Sequence, residues 1–375
     1  MQIAKFGVED WLNVWENDAV YDIAGSSIAS MTLEEIIDLS KITKEEFTNE
    51  LFAKKMNYGW IEGSPEFKDE VCKLYKNIKP NQVLQTNGAT GANFLAIFGL
   101  IEPNDHVISM YPTYQQLVDI PRALGANVDL WNIQEENEWL PSLDDLRKLI
   151  KPNTKMICIN NANNPTGSLM DELYLKELVE IANSVGAYVL CDEVYKPFIK
   201  DINIPSIVDL YDKGIATNSL SKTYSVAGVR VGWVVANDEV SNIYRKIRDY
   251  TMICAGVFDD YLATLVLKNK EAILKRNEKI VLENLEIVKE WLKKEPLVSL
   301  KIPNNVSTSF IKINIPNPND IEDMCIDLLK EKGVLLVPGN RFDMPGYARL
   351  GYCTHKETLE KGLAELSNYL RKYDK

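Results

Sequence analysis

The middle of the chain alternates short apolar segments with helical patterns, and this alternation constrains the fold more than any other feature. Residues 156–159 are wholly apolar, and residues 231–236 carry no charged side chain. Strands of this kind are typical of a mostly parallel sheet that helices cover on both faces. Ligands of such sheets bind beyond the carboxyl ends of the strands. The residues that follow each strand are therefore the first candidates for a functional site.

The predicted fold class is α/β. We expect a large domain over residues 46–275, with a mostly parallel seven-stranded sheet covered by helices, and a smaller α+β domain built from both chain ends, residues 1–45 and 276–375. The strands of the large sheet are predicted at 83–86, 106–110, 127–131, 155–160, 187–191, 215–218 and 231–236. The main helices are predicted at 89–101, 173–184, 268–294, 321–332 and 356–373. The strands of the small domain are predicted at 298–302 and 308–313, around Asn304–Asn305, and at 333–338 and 348–352.

Composition excludes several classes of function. The formal net charge of -12 argues against binding to nucleic acid or to an anionic membrane surface. The six cysteines are scattered without a CxxC pair or metal-ligand spacing, so we interpret them as reduced residues of a cytoplasmic protein without a metal site. Only two histidines are present, which makes a Ser-His-Asp triad or a histidine-rich zinc site hard to build.

Two polar or aromatic segments follow the first two predicted strands. The turn containing Gly88, Ala89 and Thr90 opens a helix, where free backbone N–H groups and the helix dipole can bind an anion. A purely structural turn is an equal alternative for this segment alone. Tyr114 follows the second strand and can either pack in the core or stack on a flat ring.

Two further segments follow buried strands. Asn164 lies in an amide-rich turn and can donate a hydrogen bond to a ring oxygen. Asp192 ends a buried strand, where a carboxylate is costly unless it is paired. An aspartate directed at a pyridine nitrogen keeps that nitrogen protonated, so that the ring can accept electrons. Tyr195 can donate to the phenolic oxygen of the same ring.

The segment from Ser219 to Arg230 follows the next strand and places Lys222 among hydroxyl groups. A lysine amine can form a Schiff base with an aldehyde, and hydroxyl and guanidinium groups can bind a phosphate. Pyridoxal 5'-phosphate carries both an aldehyde and a phosphate. We therefore predict this cofactor, with Lys222 as the Schiff-base amine and Ser219, Ser221 and Arg230 around the phosphate.

This series of segments resembles the fold-type I pyridoxal-phosphate enzymes, specifically the class I/II aminotransferase family (aspartate aminotransferase-like), over about residues 55–355. The resemblance implies a homodimer in which Tyr58 reaches the cofactor phosphate of the neighbouring subunit. It also implies that Arg349 grips the α-carboxylate of the substrate. The matching segments are Tyr58–Glu66, Gly88–Thr90, Pro112–Tyr114, Asn164–Gly167, Asp192–Tyr195, Ser219–Lys222 with Arg230, and Tyr347–Gly351.

The family's N-terminal substrate segment is poorly matched by residues 22–28, although Gly25 is retained here as a predicted substrate contact together with Asn164. The substrate therefore does not follow from the resemblance. Arg341 is a further candidate, for contact with an acidic substrate side chain.

We predict an aminotransferase that moves an amino group between an L-amino acid and a 2-oxo acid, with 2-oxoglutarate as the expected acceptor. Lys222 then acts as the general base and acid. The alternative on the same fold is a lyase, a decarboxylase or an amino-acid cyclase. A non-catalytic sensor with this fold is a further possibility, and a NAD-dependent dehydrogenase is disfavoured because no GxGxxG follows a strand.

Overall fold

The computed structural model describes residues 2–196, 204–303 and 306–373. Its strands are β1 Tyr21–Asp22, β2 Val83–Asn87, β3 His106–Tyr111, β4 Asn127–Gln134, β5 Leu140–Pro141, β6 Thr154–Asn160, β7 Tyr188–Asp192, β8 Gly214–Ser219, β9 Val231–Val235, β10 Val298–Leu300, β11 Ser309–Ile313, β12 Val334–Leu335, β13 Val337–Pro338 and β14 Tyr347–Leu350. Its α-helices are α1 Gly7–Trp15, α2 Leu33–Ser40, α3 Lys44–Phe52, α4 Pro65–Cys72, α5 Gly88–Phe98, α6 Gln116–Ala123, α7 Leu143–Leu149, α8 Glu172–Val185, α9 Ile207–Leu210, α10 Asp238–Arg248, α11 Val257–Lys268, α12 Lys270–Leu292, α13 Ile321–Lys332 and α14 Lys356–Leu370.

The large sheet has the strand order β2-β9-β8-β7-β6-β3-β4-β5. Its centre is parallel, whereas β9 runs antiparallel to both of its neighbours and β5 runs antiparallel to β4. The predicted fold class is thus confirmed, although the described residues form eight strands in this sheet where seven were predicted. The additional strand, β5, is only two residues long and is too short to give a periodic signal.

Both faces of this sheet are covered, as its continuous apolar strands indicate. Along β6, Met156 and Cys158 belong to one buried cluster with residues of α5, whereas Ile157 and Ile159 belong to the other cluster. Side chains alternate between the two faces of a strand, so a strand that is buried on both sides has no polar face. The wholly apolar residues 156–159 of β6 therefore indicate that this strand lies in the middle of the sheet, with both faces covered.

Capping residues fix the starts of the early helices. Thr32 and Thr43 each form a capping box, with Glu35 at the start of α2 and with Glu46 at the start of α3. Ser64 caps α4 by accepting a hydrogen bond from the Phe67 N–H at 3.2 Å. These side chains satisfy backbone donors that a helix leaves unpaired at its first turn.

The smaller α+β region contains two further sheets. One is four-stranded and antiparallel, in the order β10-β11-β14-β13, and the other pairs β1 with β12 in parallel. The single strand predicted at 333–338 is therefore two short strands in different sheets. The predicted turn at Asn304–Asn305 lies outside the described residues. The domain limits at residues 45/46 and 275/276 stay a prediction.

The two chain ends meet closely in this region. The Gly351 N–H donates to the Ile23 carbonyl at 2.8 Å. A Cβ on Gly351 would lie only 1.5 Å from the Gly25 carbonyl oxygen, so only glycine permits this approach. The segment after α1 is therefore held against β14. None of the helices in the described part of the chain has the length and hydrophobicity needed to span a bilayer.

Candidate active site

A cavity of about 650 Å³ opens at the carboxyl ends of the central strands. It is bounded by turns after β2, β3, β6, β7 and β8, by β14 and by the N-terminal segment. The predicted site residues that line it are Gly25, Ala89, Thr90, Tyr114, Asn164, Asp192, Tyr195, Ser219, Ser221, Lys222, Arg230 and Arg349. The structure therefore brings together side chains that are separated by more than 300 residues of sequence.

Lys222 lies in the middle of this cavity. Its Nζ donates a hydrogen bond to Ser26 Oγ at 2.8 Å and lies 5.9 Å from the centre of the Tyr195 ring. Burial, and then the nearby Arg349 guanidinium, lower the pKa of Lys222 to about 8. A larger fraction of this amine is therefore neutral near neutral pH than for an exposed lysine, which favours attack on a carbonyl.

Asp192 is 2% exposed and accepts hydrogen bonds from Asn93 Nδ2 at 2.7 Å and from the Val194 N–H at 3.2 Å. Thr217 orients the same amide by donating to Asn93 Oδ1 at 2.6 Å. Burial raises the pKa of Asp192 to about 6, which is the cost of holding a carboxylate away from water. A protonated ring nitrogen would supply the cation that this carboxylate requires.

The turn between β2 and α5 suits an anion. Gly88 has φ +65°, and a Cβ at this position would lie 2.7 Å from Arg230 Nη2. Gly88 therefore lies directly behind the guanidinium and outside the cavity lining. On the other side, Arg230 Nη1 lies 3.4 Å from Ser221 Oγ. Free N–H groups at the start of α5, hydroxyls and a guanidinium form a phosphate-binding combination.

Arg349 lies on β14 and is 2% exposed. Its Nε donates to the Ala24 carbonyl at 3.1 Å, and its Nη1 donates to Asn164 Oδ1 at 3.3 Å. In the described part of the chain no carboxylate forms an ion pair with it. A buried guanidinium with free donors is suited to a planar carboxylate ligand.

The aromatic and amide groups complete the wall of the cavity. Tyr114 packs against Phe6, with 5.1 Å between the ring centres. The Asn164 N–H donates to Asn160 Oδ1 at 2.7 Å, which fixes this residue beside Arg349. Burial raises the pKa of Tyr195 to about 12, so its hydroxyl is a hydrogen-bond donor throughout the neutral range.

Besides Gly88, two candidates lie outside the cavity lining, Tyr58 and Arg341. Tyr58 is 78% exposed on another surface of this chain. Arg341 is bound by Glu322 at 2.6 Å and by Asp10 at 3.5 Å, so its charge is already neutralised. The candidate role of Arg341 in contacting an acidic substrate is therefore not supported by its position.

Sequence reasoning missed the N-terminal wall of the cavity. Phe6, Glu9 and Leu12 on or beside α1 line it, as do Glu16 and Asp22 in the segment that follows. Apolar residues at Val8, Trp11, Leu12 and Trp15 have the i, i+3, i+4, i+7 spacing that predicts a helix. Ser26 and Asn93 gave no signal, because their roles arise only from contacts with distant residues.

The sequence model described as "Aminotransferase class I and II" matches residues 29–366. The chain belongs to this family. Membership confirms the predicted cofactor, pyridoxal 5'-phosphate, and the predicted class of enzyme, an aminotransferase.

Similar proteins agree with this assignment. A crystal structure of a PLP-dependent aminotransferase from Streptococcus suis 89-1591 is 61% identical, with a TM-score of 0.97 and full coverage of both chains. An aspartate aminotransferase of Thermotoga maritima is 31% identical over 79% of this chain and 77% of its own length. A capreomycidine synthase of Streptomyces vinaceus is 30% identical over 97% of this chain and 93% of its own length.

Proposed function

We propose that the cavity around Lys222 is the catalytic site at which an amino group passes between an L-amino acid and a 2-oxo acid. The observation that carries this proposal is that Lys222, Asp192 and Arg349 line one cavity. The reaction uses an amine with a lowered pKa, a buried carboxylate, and a buried guanidinium that forms no ion pair with the residues that the structure describes.

The side chains present fit the cofactor. Lys222 would bond to its aldehyde, Asp192 would pair with its ring nitrogen, and Tyr114 would stack on its ring. Asn164 and Tyr195 would donate to the ring oxygen. The phosphate would lie among Ala89, Thr90, Ser219, Ser221 and Arg230, with Gly88 behind the guanidinium. When bound, pyridoxal phosphate supplies a carbonyl for the amino group and a ring that accepts the electrons left on the substrate Cα.

Two residues of the chain would act on the substrate, and a third positions one of them. Arg349 holds the α-carboxylate through two parallel hydrogen bonds, beside Asn164, and so fixes the direction of the Cα–H bond. Once the substrate amine has displaced it from the carbonyl carbon, the released neutral Nζ of Lys222 would remove the Cα proton and keep it for the return transfer. Ser26, which accepts a hydrogen bond from Nζ, holds this amine in position before the substrate arrives.

A half-reaction tests this function. The cofactor-loaded protein is mixed with single L-amino acids without an acceptor, and absorbance spectra follow conversion of the aldehyde form of the cofactor to its amine form. Conversion that is reversed by a 2-oxo acid is expected. A protein that binds the cofactor but is converted by no amino acid would contradict the proposal.

The second candidate is a synthase or cyclase reaction that begins with the same proton removal. It is favoured by the likeness to capreomycidine synthase, which extends over 97% of this chain. The same half-reaction separates the two candidates. An aminotransferase accumulates the amine form of the cofactor, whereas a cyclase or lyase regenerates the aldehyde form and releases a modified product, which mass spectrometry detects.

We also propose that the protein is a homodimer in which Tyr58 completes the site of the neighbouring subunit. Apolar side chains are exposed on the segment around Tyr58 and on residues 250–253, which supports this proposal. The two segments lie side by side, because a Cβ on Gly59 would be only 2.7 Å from the Ala255 carbonyl oxygen. Exposed patches of this type are typical of interfaces. The residues concerned are Phe52, Met56, Tyr58, Trp60, Ile61, Tyr250 and Ile253.

Mixing two inactive variants tests this arrangement. Subunits carrying Lys222→Ala and subunits carrying Tyr58→Ala are unfolded together and refolded. If Tyr58 acts across the interface, each mixed dimer has one intact site, and about a quarter of the wild-type activity returns. No return of activity, with mixed dimers demonstrated by mass spectrometry, would place Tyr58 within the site of its own subunit, and an active Tyr58→Ala protein would place it outside any site.

The acceptor and the location remain predictions. The choice of 2-oxoglutarate as acceptor is tested by comparing it with pyruvate in the reverse half-reaction. All six cysteines have free thiols, which is consistent with the predicted cytoplasmic location.

A further inference from the structure

Three carboxylates form one side of the cavity, and we call Glu9, Glu16 and Asp22 the acidic wall. Glu9 and Glu16 form no hydrogen bond or ion pair with any side chain in the ranges 2–196, 204–303 and 306–373. One oxygen of Asp22 accepts from the backbone N–H groups of Ala24 at 2.9 Å and of Gly25 at 3.3 Å. The other oxygen has no partner among the same residues.

The three charges are close enough to affect one another. Partial burial, followed by the Asp22 and Glu9 carboxylates, raises the pKa of Glu16, although the Arg349 and Lys222 cations act in the opposite direction. Like charges in one place disfavour the ionised form, and a cation placed among them relieves the repulsion. The acidic wall therefore favours a positively charged ligand.

Each cationic side chain that lines the cavity already has a partner in the cofactor or in the substrate α-carboxylate. Under the proposed function Lys222 bonds to the cofactor, Arg230 binds its phosphate and Arg349 binds the α-carboxylate. Arg341 lies outside the cavity lining and is paired with Glu322 and Asp10. Within the described part of this chain, no cation of the cavity lining is left for an acidic substrate side chain, while three carboxylates are left over.

A fourth hydrogen-bond acceptor in the cavity also favours a ligand that carries hydrogen-bond donors. Gln116 lines the same cavity, is 9% exposed and donates from Nε2 to the Thr90 carbonyl at 3.2 Å. Its Oε1 is buried and has no hydrogen-bond partner among the described residues. A buried acceptor of this kind needs a donor, and a ligand with several N–H groups supplies one.

We propose that the acidic wall selects an amino donor with a cationic side chain, either an amine or a guanidinium. This inference rests on the proposed function, because it takes Arg349 as the clamp for the α-carboxylate. The side chain then extends towards the N-terminal segment, where the wall lies. The wall also disfavours the second carboxylate of 2-oxoglutarate, so this inference, unlike the expectation from sequence, makes pyruvate the better of the two acceptors.

The test compares donors of equal shape and different charge. We expect kcat/KM for L-arginine to exceed that for L-citrulline, its neutral analogue, by about 10-fold, because several partly exposed carboxylates each contribute a few-fold. The same comparison of L-ornithine with L-norleucine, its neutral analogue of equal length, measures the preference for an amine and so distinguishes it from a preference for a guanidinium. The double variant Glu9→Gln/Glu16→Gln should reduce the ratio to about 2-fold. Asp18→Asn is the matched control, because this exposed carboxylate lies outside the cavity lining.

Equilibrium binding separates failure of the inference from failure of the proposed function. In the cofactor-loaded Lys222→Ala protein, L-arginine should bind about 10-fold more tightly than L-citrulline, even if no donor is turned over. Equal binding and equal turnover of the two would overturn the inference and leave aminotransfer intact. A preference for L-glutamate or L-aspartate over L-arginine in the unmodified protein would also overturn it.

Discussion

The two ends of the cavity are built differently. At the cofactor end, Asp192 is buried and Asn93 and the Val194 N–H satisfy it within the chain. At the substrate end, Glu9 and Glu16 are exposed and have no partner among the described residues. The Asp192 carboxylate is thus hydrogen-bonded before any ligand arrives, whereas Glu9 and Glu16 are solvated by water until a ligand reaches them. Under the proposed function, the first end would carry the chemistry and the second would set the preference for a substrate.

This contrast predicts that changes at the cofactor end affect every donor equally. The largest effect is expected for Lys222→Ala, which removes the proton carrier and should slow exchange of the substrate Cα proton by at least about 1,000-fold. Exchange of deuterium from solvent, followed by NMR, measures it. Lys148→Ala is the control, since this lysine is on the surface. Wild-type exchange in the Lys222→Ala protein would remove Lys222 from its assigned role.

Asp192→Asn should lower kcat by about 100-fold for all donors alike, because an amide cannot stabilise a charged ring nitrogen. Stopped-flow half-reactions with two unlike donors measure the effect. An unequal loss, large for one donor and absent for the other, would show that the two ends of the cavity are not independent. Asp119→Asn, outside the cavity lining, provides the control.

Asn93→Ala should cost about tenfold in kcat near neutral pH, through the lost hydrogen bond to Asp192. Without that bond the pKa of Asp192 rises further, so the carboxylate is ionised only at higher pH. Activity should therefore recover as the pH increases, and a pH profile of kcat detects this. A loss that is the same at every pH would indicate a structural role instead. Asn183→Ala, at an exposed position of α8, is the matched control.

The smallest effect concerns the pH at which the apoenzyme takes up its cofactor. Only the neutral amine attacks an aldehyde, so the uptake rate should rise with pH and level off above the Lys222 pKa of about 8. Arg349→Gln removes a charge that lowers this pKa and should move the profile to higher pH, by less than about one unit. Arg341→Gln should leave it in place. Identical midpoints in the Arg349→Gln and wild-type proteins would contradict this coupling.

Much of the large sheet could be predicted from sequence, because continuous apolar segments such as β6 are distinctive. The site residues after each strand followed from their order along the chain. β5, β12 and β13 are two residues long and offer no period to detect. Asn93 lies 99 residues from Asp192, so nothing local connects them before the chain has folded.

The contact between the two chain ends has a consequence for synthesis. Gly351 and Arg349 emerge from the ribosome long after Lys222 and Asp192, yet they hold the N-terminal segment against β14 through Ile23 and Ala24. During translation the N-terminal segment is therefore made long before the residues of the β14 region that it contacts in the folded protein. A nascent chain ending before β14 could assemble the cofactor end but not the complete substrate end. Under the proposed function, the residues assigned to the cofactor are therefore synthesised before the strand that holds the acidic wall in its final position.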